Sequence, residues 1–223
     1  MIEIINLNKV YNENKKNQFK ALKDINLIIE TNQLVLLKGV SGSGKSTLLS
    51  IIASFTKPTS GDIKVLDEQI AKLPDSYISQ FRQDNIGFVF QDFNLFEQLS
   101  VEQNLIPSLV LQNLSKTEIS NKINKVLKTA NIISKRYETV SNLSGGEKQR
   151  VAIARALVND ADIVLCDEPT ANLDKKNSLL FIDILKELKL LNKTIIISTH
   201  DTIFDNLNIV DKKYILEDGK IIS

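Results

Sequence analysis

A glycine-rich loop set between a short apolar run and a helix-like run constrains this chain more than any other stretch. Residues 34–38 read LVLLK, a strand pattern, and the nine residues Gly39-Val40-Ser41-Gly42-Ser43-Gly44-Lys45-Ser46-Thr47 follow directly. The next run, STLLSIIASF, continues with helical spacing. The loop matches GxxxxGK[ST], and each position has a physical reason. Glycines let backbone N–H groups wrap the α- and β-phosphates of a nucleotide, Lys45 reaches the β/γ oxygens, and the Ser46 hydroxyl suits Mg²⁺. A bland glycine turn before a helix is the competing reading, and the flanking strand and helix argue against it.

Four further candidate positions follow strand-like runs. Residues 163–167, IVLCD, form a continuous apolar run of the kind buried in a parallel sheet. Asp167 at its end can hold Mg²⁺ through water, and Glu168 can take a proton from an attacking water. Residues 194–199, TIIIST, repeat the pattern and lead to His200, the single histidine. A lone histidine at a strand end is more often structural. In parallel α/β sheets, however, ligands gather at the carboxyl ends of strands, which makes His200 a γ-phosphate contact. Gln91 follows the run IGFVF and either ligates Mg²⁺ or water or is simply exposed. Tyr11, after the first strand, either stacks on a nucleobase or is a strand-edge aromatic. Cys166, mid-strand among aliphatics, reads as a small buried hydrophobe rather than a reactive thiol.

A second anion site lies far along the chain. Leu143-Ser144-Gly145-Gly146-Glu147-Lys148-Gln149-Arg150 turns through Ser-Gly-Gly into a helix whose face reads Val151, Ala152, Ala154, Leu157. Its first N–H groups point outward, and bare glycines leave them open. One phosphate chain cannot occupy both sites within a single small domain.

Composition bounds the rest. At 223 residues with 43% hydrophobic content, the chain makes one large domain, or a domain with a subdomain, with a sizeable core. A net charge of +1 implies no strong field toward nucleic acid or an anionic membrane, and no nucleic-acid partner is expected. One cysteine excludes an internal disulfide and suits a reducing compartment. MIEIINLNKVY reads as a charged strand, not a secretory signal, and no apolar run reaches the roughly 18–20 residues that span a bilayer. Any membrane role must come through a partner. Lysines dominate the basic residues, so each of the four arginines is a mild flag; Arg82, Arg150 and Arg155 lie near the motifs.

Residues 92–142 read differently from their surroundings. They are polar and poor in glycine, and Ser100…Gln103 and Ser115…Glu118 fit capping boxes. They are expected to form an inserted helical subdomain. A polar loop at Asn12 to Lys20, a helix near Lys175 to Leu190 capped by Asp174, and a terminal hairpin turning at Asp218-Gly219 complete the reading.

Taken together and in order, Tyr11, Gly39–Thr47, Gln91, Leu143–Arg150, Ile163–Glu168, Asn172-Leu173-Asp174 and His200 resemble the motifs of the ATP-binding subunits of ABC transporters, over essentially the whole chain. The stretch IGFVFQDFNLFEQLSVEQNL, with TKPTSG before it, is similar to the lipoprotein-release and macrolide-export branch, which also holds the FtsE-type ATPases that regulate a membrane partner without transport. The resemblance implies an α/β fold: a P-loop NTPase core with a mainly parallel sheet at 1–91 and 143–223, an amino-terminal antiparallel β subdomain, and the helical subdomain at 92–142. It implies ATP and Mg²⁺ as ligands, with catalysis by Glu168, His200 and Gln91. Nucleotide contacts would come from Tyr11, Gly39, Ser41, Gly42, Ser43, Gly44, Lys45, Ser46, Thr47, Ser144, Gly145 and Gly146, and metal contacts from Ser46, Gln91 and Asp167. A second copy of the chain would sandwich two ATP molecules, and an integral membrane permease would hold the dimer at the inner face of the cell membrane. Phe90, Phe93, Leu95 and Phe96 are either the rim of a groove for that permease or plain core packing. The chain departs from the family pattern at Glu147, where glutamine is commonest, at Asn32-Gln33, where Gly-Glu is usual, and near Asp67-Glu68, where a turn glycine is usual.

Overall fold

The computed structural model describes residues 1–222. Two sheets organise it. Ile2–Tyr11 (β1) and Phe19–Ile29 (β2) form an antiparallel ladder running from Ile2 opposite Ile29 to Tyr11 opposite Phe19. Leu34–Lys38 (β3) then leads through the glycine loop into Lys45–Ile52 (α1). Ser60–Val65 (β4) pairs with the free edge of β1, giving a three-stranded antiparallel sheet.

The second sheet has six strands in the order β5-β6-β7-β3-β8-β9. Asp75–Asn85 (α2) runs into Ile86–Val89 (β5). Ile163–Asp167 (β6), Thr194–Thr199 (β7), β3 and Lys212–Glu217 (β8) continue it, all parallel, and Lys220–Ile221 (β9) closes it as an antiparallel hairpin. Both faces of this sheet are covered. Leu34, Leu36, Val164, Cys166, Ile195 and Ile197 face one apolar core, while Val35, Leu37, Ile163, Leu165 and Ile196 face the other. Strict alternation between two buried faces explains why these strands read as unbroken apolar runs. α2 had no clear signal; its sequence, DSYISQFRQDN, buries only Ile78 and Phe81.

Between β5 and β6 lie Val101–Leu105 (α3), Lys116–Thr129 (α4) and Gly145–Leu157 (α5). Both expected capping boxes form, Ser100 with Gln103 and Ser115 with Glu118. The buried residues of 92–142 are continuous with one of the two cores, through Leu105, Ile123 and Leu127 beside Val151 and Ala154. Lys175–Leu190 (α6) follows β6 and is capped by Asp174, which accepts from the Asn177 N–H.

The turn departures have local solutions. Asn32 takes a left-handed conformation at φ 62°, which asparagine tolerates better than most non-glycine residues. The turn after β4 puts Leu66 and Asp67 at φ 49° and 69°, closed by mutual backbone bonds between Val65 and Glu68 of 2.9 and 3.0 Å.

Gly87 in β5 is required by packing. A Cβ there would stand 2.2 Å from the Ala156 carbonyl oxygen of α5. Gly87→Ala should therefore cost about 1–3 kcal/mol in urea unfolding, as overpacking does. An unchanged midpoint and slope would mean that α5 can lift from β5 without penalty.

Candidate functional site

The four candidate segments leave the sheet from neighbouring strands. Gln91 follows β5, Asp167 and Glu168 end β6, His200 follows β7, and Gly39 follows β3. The loop after β3 curls because of its glycines. Gly39 and Gly44 lie at φ 154° and 106°, and a Cβ on either would strike a backbone oxygen, Leu216 O at 2.3 Å or Ala21 O at 2.7 Å. Gly42, at φ 80°, has nothing within 4 Å of its would-be Cβ, so there the backbone conformation alone calls for glycine. Gly44 caps α1 without a side chain, which leaves the first-turn N–H groups to an outside acceptor. Lys45 is 5% exposed, and its Nζ donates to the carbonyls of Gly39 and Val40 at 2.8 and 3.0 Å.

Carboxylates converge on this loop. The Ser46 hydroxyl donates to Asp167 Oδ1 at 2.9 Å, and the Ser198 hydroxyl donates to the same oxygen. Glu168 Oε1 lies 3.5 Å from Lys45 Nζ, and Glu168 Oε2 lies 3.0 Å from His200 Nδ1. The His200 N–H also donates to Glu168 Oε2 at 3.3 Å. Glu168 has φ 45°, a left-handed conformation costing of the order of 1–2 kcal/mol outside glycine. It is held there by its own N–H on the Ser198 carbonyl at 3.0 Å. The strain aims the carboxylate between a lysine and a histidine, and the side chain is only 11% exposed.

A cleft of about 270 Å³ lies over the loop, lined by Ser41 to Thr47, Gln91, Glu168 and His200, with Phe19 and Ala21 at its other side. Phe19, not Tyr11, lines it. Tyr11 is the cross-strand partner of Phe19 and lies under the Lys9 ammonium, 5.0 Å from its ring centre. Phe19 went unnoticed in the sequence because it sits beyond the polar loop; its signal is register, since antiparallel pairing puts it level with Tyr11. The donors fit a triphosphate: a glycine cradle, one buried lysine and a free helix N-terminus. They also fit Mg²⁺. A hydroxyl at Ser46, a carboxylate at Asp167 and an amide at Gln91 are hard oxygen donors, few enough to leave the remaining positions to water and phosphate. Among the described residues no cluster of three His, Cys, Asp or Glu forms a self-sufficient metal site.

Ser144, Gly145 and Gly146 do not line this cleft. Ser144 caps α5 and forms a third capping box: its hydroxyl accepts from the Glu147 N–H, while Glu147 Oε2 accepts from the Ser144 N–H and hydroxyl, both at 2.8 Å. The spacing Ser144…Glu147 repeats that of Ser115…Glu118 and was legible. Those bonds hold the Glu147 carboxyl below the usual carboxylate range. Gly146 is needed within the chain, since a Cβ would meet the Asn177 side chain at 2.3 Å; Gly145 is not, its would-be Cβ meeting only Asn172 O at 3.6 Å. α5 is tied to the turn after Glu168 by Gln149, whose buried amide donates to Pro169 O at 2.8 Å. Asn172 donates to Gln91 O at 3.1 Å. Cys166 is buried, and burial, with the Asp167 charge beside it, pushes its thiol far above the ordinary range. Phe90 packs into an aromatic cluster, 4.4 Å from Phe88 and 5.8 Å from Phe55, whereas Phe93 and Leu95 are half-buried and Phe96 is 58% exposed.

Comparison with known proteins agrees with this geometry. The family model described as ABC transporter matches residues 22–171. The lipoprotein-releasing system ATP-binding protein LolD of Pseudoalteromonas translucida is 38% identical over 99% of this chain and 94% of its own length. The methionine import ATP-binding protein MetN of Vibrio cholerae is 41% identical over 90% of this chain, which spans 58% of that relative. The dimeric structure of the ABC transporter cassette MJ0796 superposes with a TM-score of 0.91 at 36% identity, covering 100% of this chain and 97% of that one. A second structure of that cassette, a dimeric post-hydrolysis state bound to ADP and Pi, gives 0.92 at 35% identity, with the same coverage. The chain is an ATP-hydrolysing, ATP-binding subunit of the ABC transporter family.

Proposed function

We propose that this chain drives export, or extraction from the membrane, of a lipoprotein- or macrolide-type substrate, as an ATP-sandwiched homodimer bound to a permease at the inner face of the cell membrane. The observation that carries the dimer is Gly145. Nothing within its own chain needs a glycine there, yet Ser144 and Gly145 are exposed at the start of a helix whose free N–H groups favour an anion. A two-fold pair of chains supplies that anion as the γ-phosphate held by the partner's glycine loop. The likeness to LolD along 94% of that relative's length supports the branch. Likeness to MetN favours import instead and makes methionine-type uptake the competing reading.

In this scheme the loop at Gly39–Thr47 binds the phosphates and Lys45 turns from the Gly39 and Val40 carbonyls to the β/γ oxygens. Glu168 accepts a proton from the attacking water, and His200, bonded to Glu168, meets the γ-phosphate. Ser46 and Asp167, with Gln91 beside them, would hold Mg²⁺, which when bound would neutralise charge on the phosphates. The adenine would rest against Tyr11 or the neighbouring Phe19. Loss of the γ-phosphate removes the contact that only ATP makes, and the dimer opens. Among the described residues no helix is long and apolar enough to cross a membrane, and in this reading the permease provides the crossing. Phe55, 48% exposed beside Phe90, and the exposed Phe96 offer it apolar contact.

Three outcomes test these points. Glu168→Gln should bind ATP and accumulate as a dimer by light scattering; a monomer at saturating ATP and high protein concentration would sink the sandwich. Gly145→Ala added to Glu168→Gln should leave the melting temperature unchanged or slightly higher, because alanine suits a helix better by up to about 1 kcal/mol, yet weaken the ATP-dependent dimer at least about tenfold. Equal dimer affinity would remove the cross-chain role of Gly145. Finally, the chain should co-purify with a membrane protein of four spans and a large extracytoplasmic domain, and a many-span partner lacking that domain would favour the import reading.

A further inference from the structure

Arg155 is one of four arginines, and its contacts are unusual. It projects from α5 about 16 Å along the helix from Ser144. Its guanidinium forks onto two successive backbone carbonyls, Nη2 on Phe93 O at 2.7 Å and Nη1 on Asn94 O. It forms no ion pair among the described residues, and burial holds its pKa below the usual arginine range. The acceptors belong to a strained turn. Phe93 and Asn94 both lie in the left-handed region, at φ 59° and 50°, two residues after Gln91. The turn's own closures are the Phe93 N–H on Phe90 O at 3.3 Å and the Asn94 N–H on Asp92 O at 2.6 Å. A phenylalanine has no intrinsic tolerance for that conformation, unlike asparagine. Something outside the turn must hold it, and the planar fork of an arginine, with its donors at fixed spacing, matches two adjacent carbonyls in a way an ammonium cannot.

We propose that Arg155 is a positioning residue for ATP hydrolysis: by clamping the left-handed Phe93–Asn94 turn it sets where the loop carrying Gln91 stands over the phosphate cleft, and couples that loop to the helix that begins at Ser144. The catalytic part of this inference rests on the role given to Gln91 above. The same helix holds the Glu168 turn through Gln149 on Pro169 O. One rigid element therefore grips both the loop that orients the γ-phosphate's surroundings and the turn that carries the base. Docking of Ser144 and Gly145 against a partner's nucleotide would be felt at both grips together.

The test compares full-length wild type, Arg155→Lys, Arg155→Lys with Phe93→Gly, and Gln91→Ala. Hydrogen exchange on nucleotide-free protein reads the clamp without relying on activity. In Arg155→Lys the amides of residues 90–95 should exchange about tenfold faster while the rest of the chain is unchanged. The kcat should fall about tenfold or more, with the affinity of the monomer for ATP within about twofold and the melting temperature little altered. Phe93→Gly, which takes positive φ freely, should restore kcat to within about threefold of wild type. Wild-type exchange in Arg155→Lys overturns the proposal. So does faster exchange with wild-type kcat, or a loss of kcat that tracks lost nucleotide affinity and is not recovered by Phe93→Gly. Wild-type kcat in Gln91→Ala removes the role of Gln91 instead, and leaves the exchange result to judge the clamp.

Discussion

Parallel pairing of β5, β6, β7 and β3 decides where everything else goes. Parallel strands leave the sheet at one edge, and here each end lies within one residue of its neighbour's: Lys38 opposite Thr199, Ser198 opposite Asp167, Cys166 opposite Val89. Neighbouring strands lie about 4.8 Å apart, so the four exits span roughly 14 Å. The glycine loop, the two carboxylates, the histidine and the glutamine meet because hydrogen bonding between backbones puts them there. A one-residue slip of β6 would turn Val164 and Cys166 to the wrong core and move Glu168 out of reach of Lys45. Burial on both faces makes that slip prohibitive, so the same apolar alternation that stabilises the sheet also sets the spacing of these side chains.

Against this fixed edge, α5 acts as a strut. Its close approach to β5 at Gly87 sets its height above the sheet, and Gln149, Arg150 and Arg155 tie its length to Pro169, Asn177 and the turn after Gln91. Its amino end is left exposed, with a backbone bare at Gly145 and a serine hydroxyl already shared with Glu147. A helix anchored at three places and open at one end suits an element that senses a surface at that end. The capping box adds a specific character: the Ser144 hydroxyl is both donor and acceptor to one glutamate, so its orientation is set before any partner arrives.

Much of this was legible in the residue string. The strands β3, β6 and β7, the glycine loop, the capping boxes at Ser100 and Ser115 and the extent of α6 follow from local rules that tertiary packing reinforces. What escaped was fixed by register or by distance in sequence. Phe19 reaches the cleft only because β2 pairs back on β1. α2 carries two buried residues in eleven, too thin a stripe to show as periodicity. Asn104, buried at 1%, closes the 96–100 turn by bonding Phe96 N and O and Ser100 O, and nothing near it in sequence announces that role. The family departures at Asn32 and at Leu66-Asp67 were legible as differences but not as solutions, since either could have moved a strand. The structure absorbs them locally, in one left-handed residue at Asn32 and two at Leu66-Asp67.

The burial of Cys166 has a practical consequence. The sole thiol of the chain lies inside β6 at 1% exposure, its ionisation suppressed, and the chain contains no tryptophan. Thiolate chemistry at neutral pH will pass it by. A cysteine introduced at any exposed position would be the one labelled site, and an introduced indole the one long-wavelength emitter. The native protein is in effect a blank background on which distances and motions can be written one probe at a time, with no native residue removed from the sheet that carries Glu168.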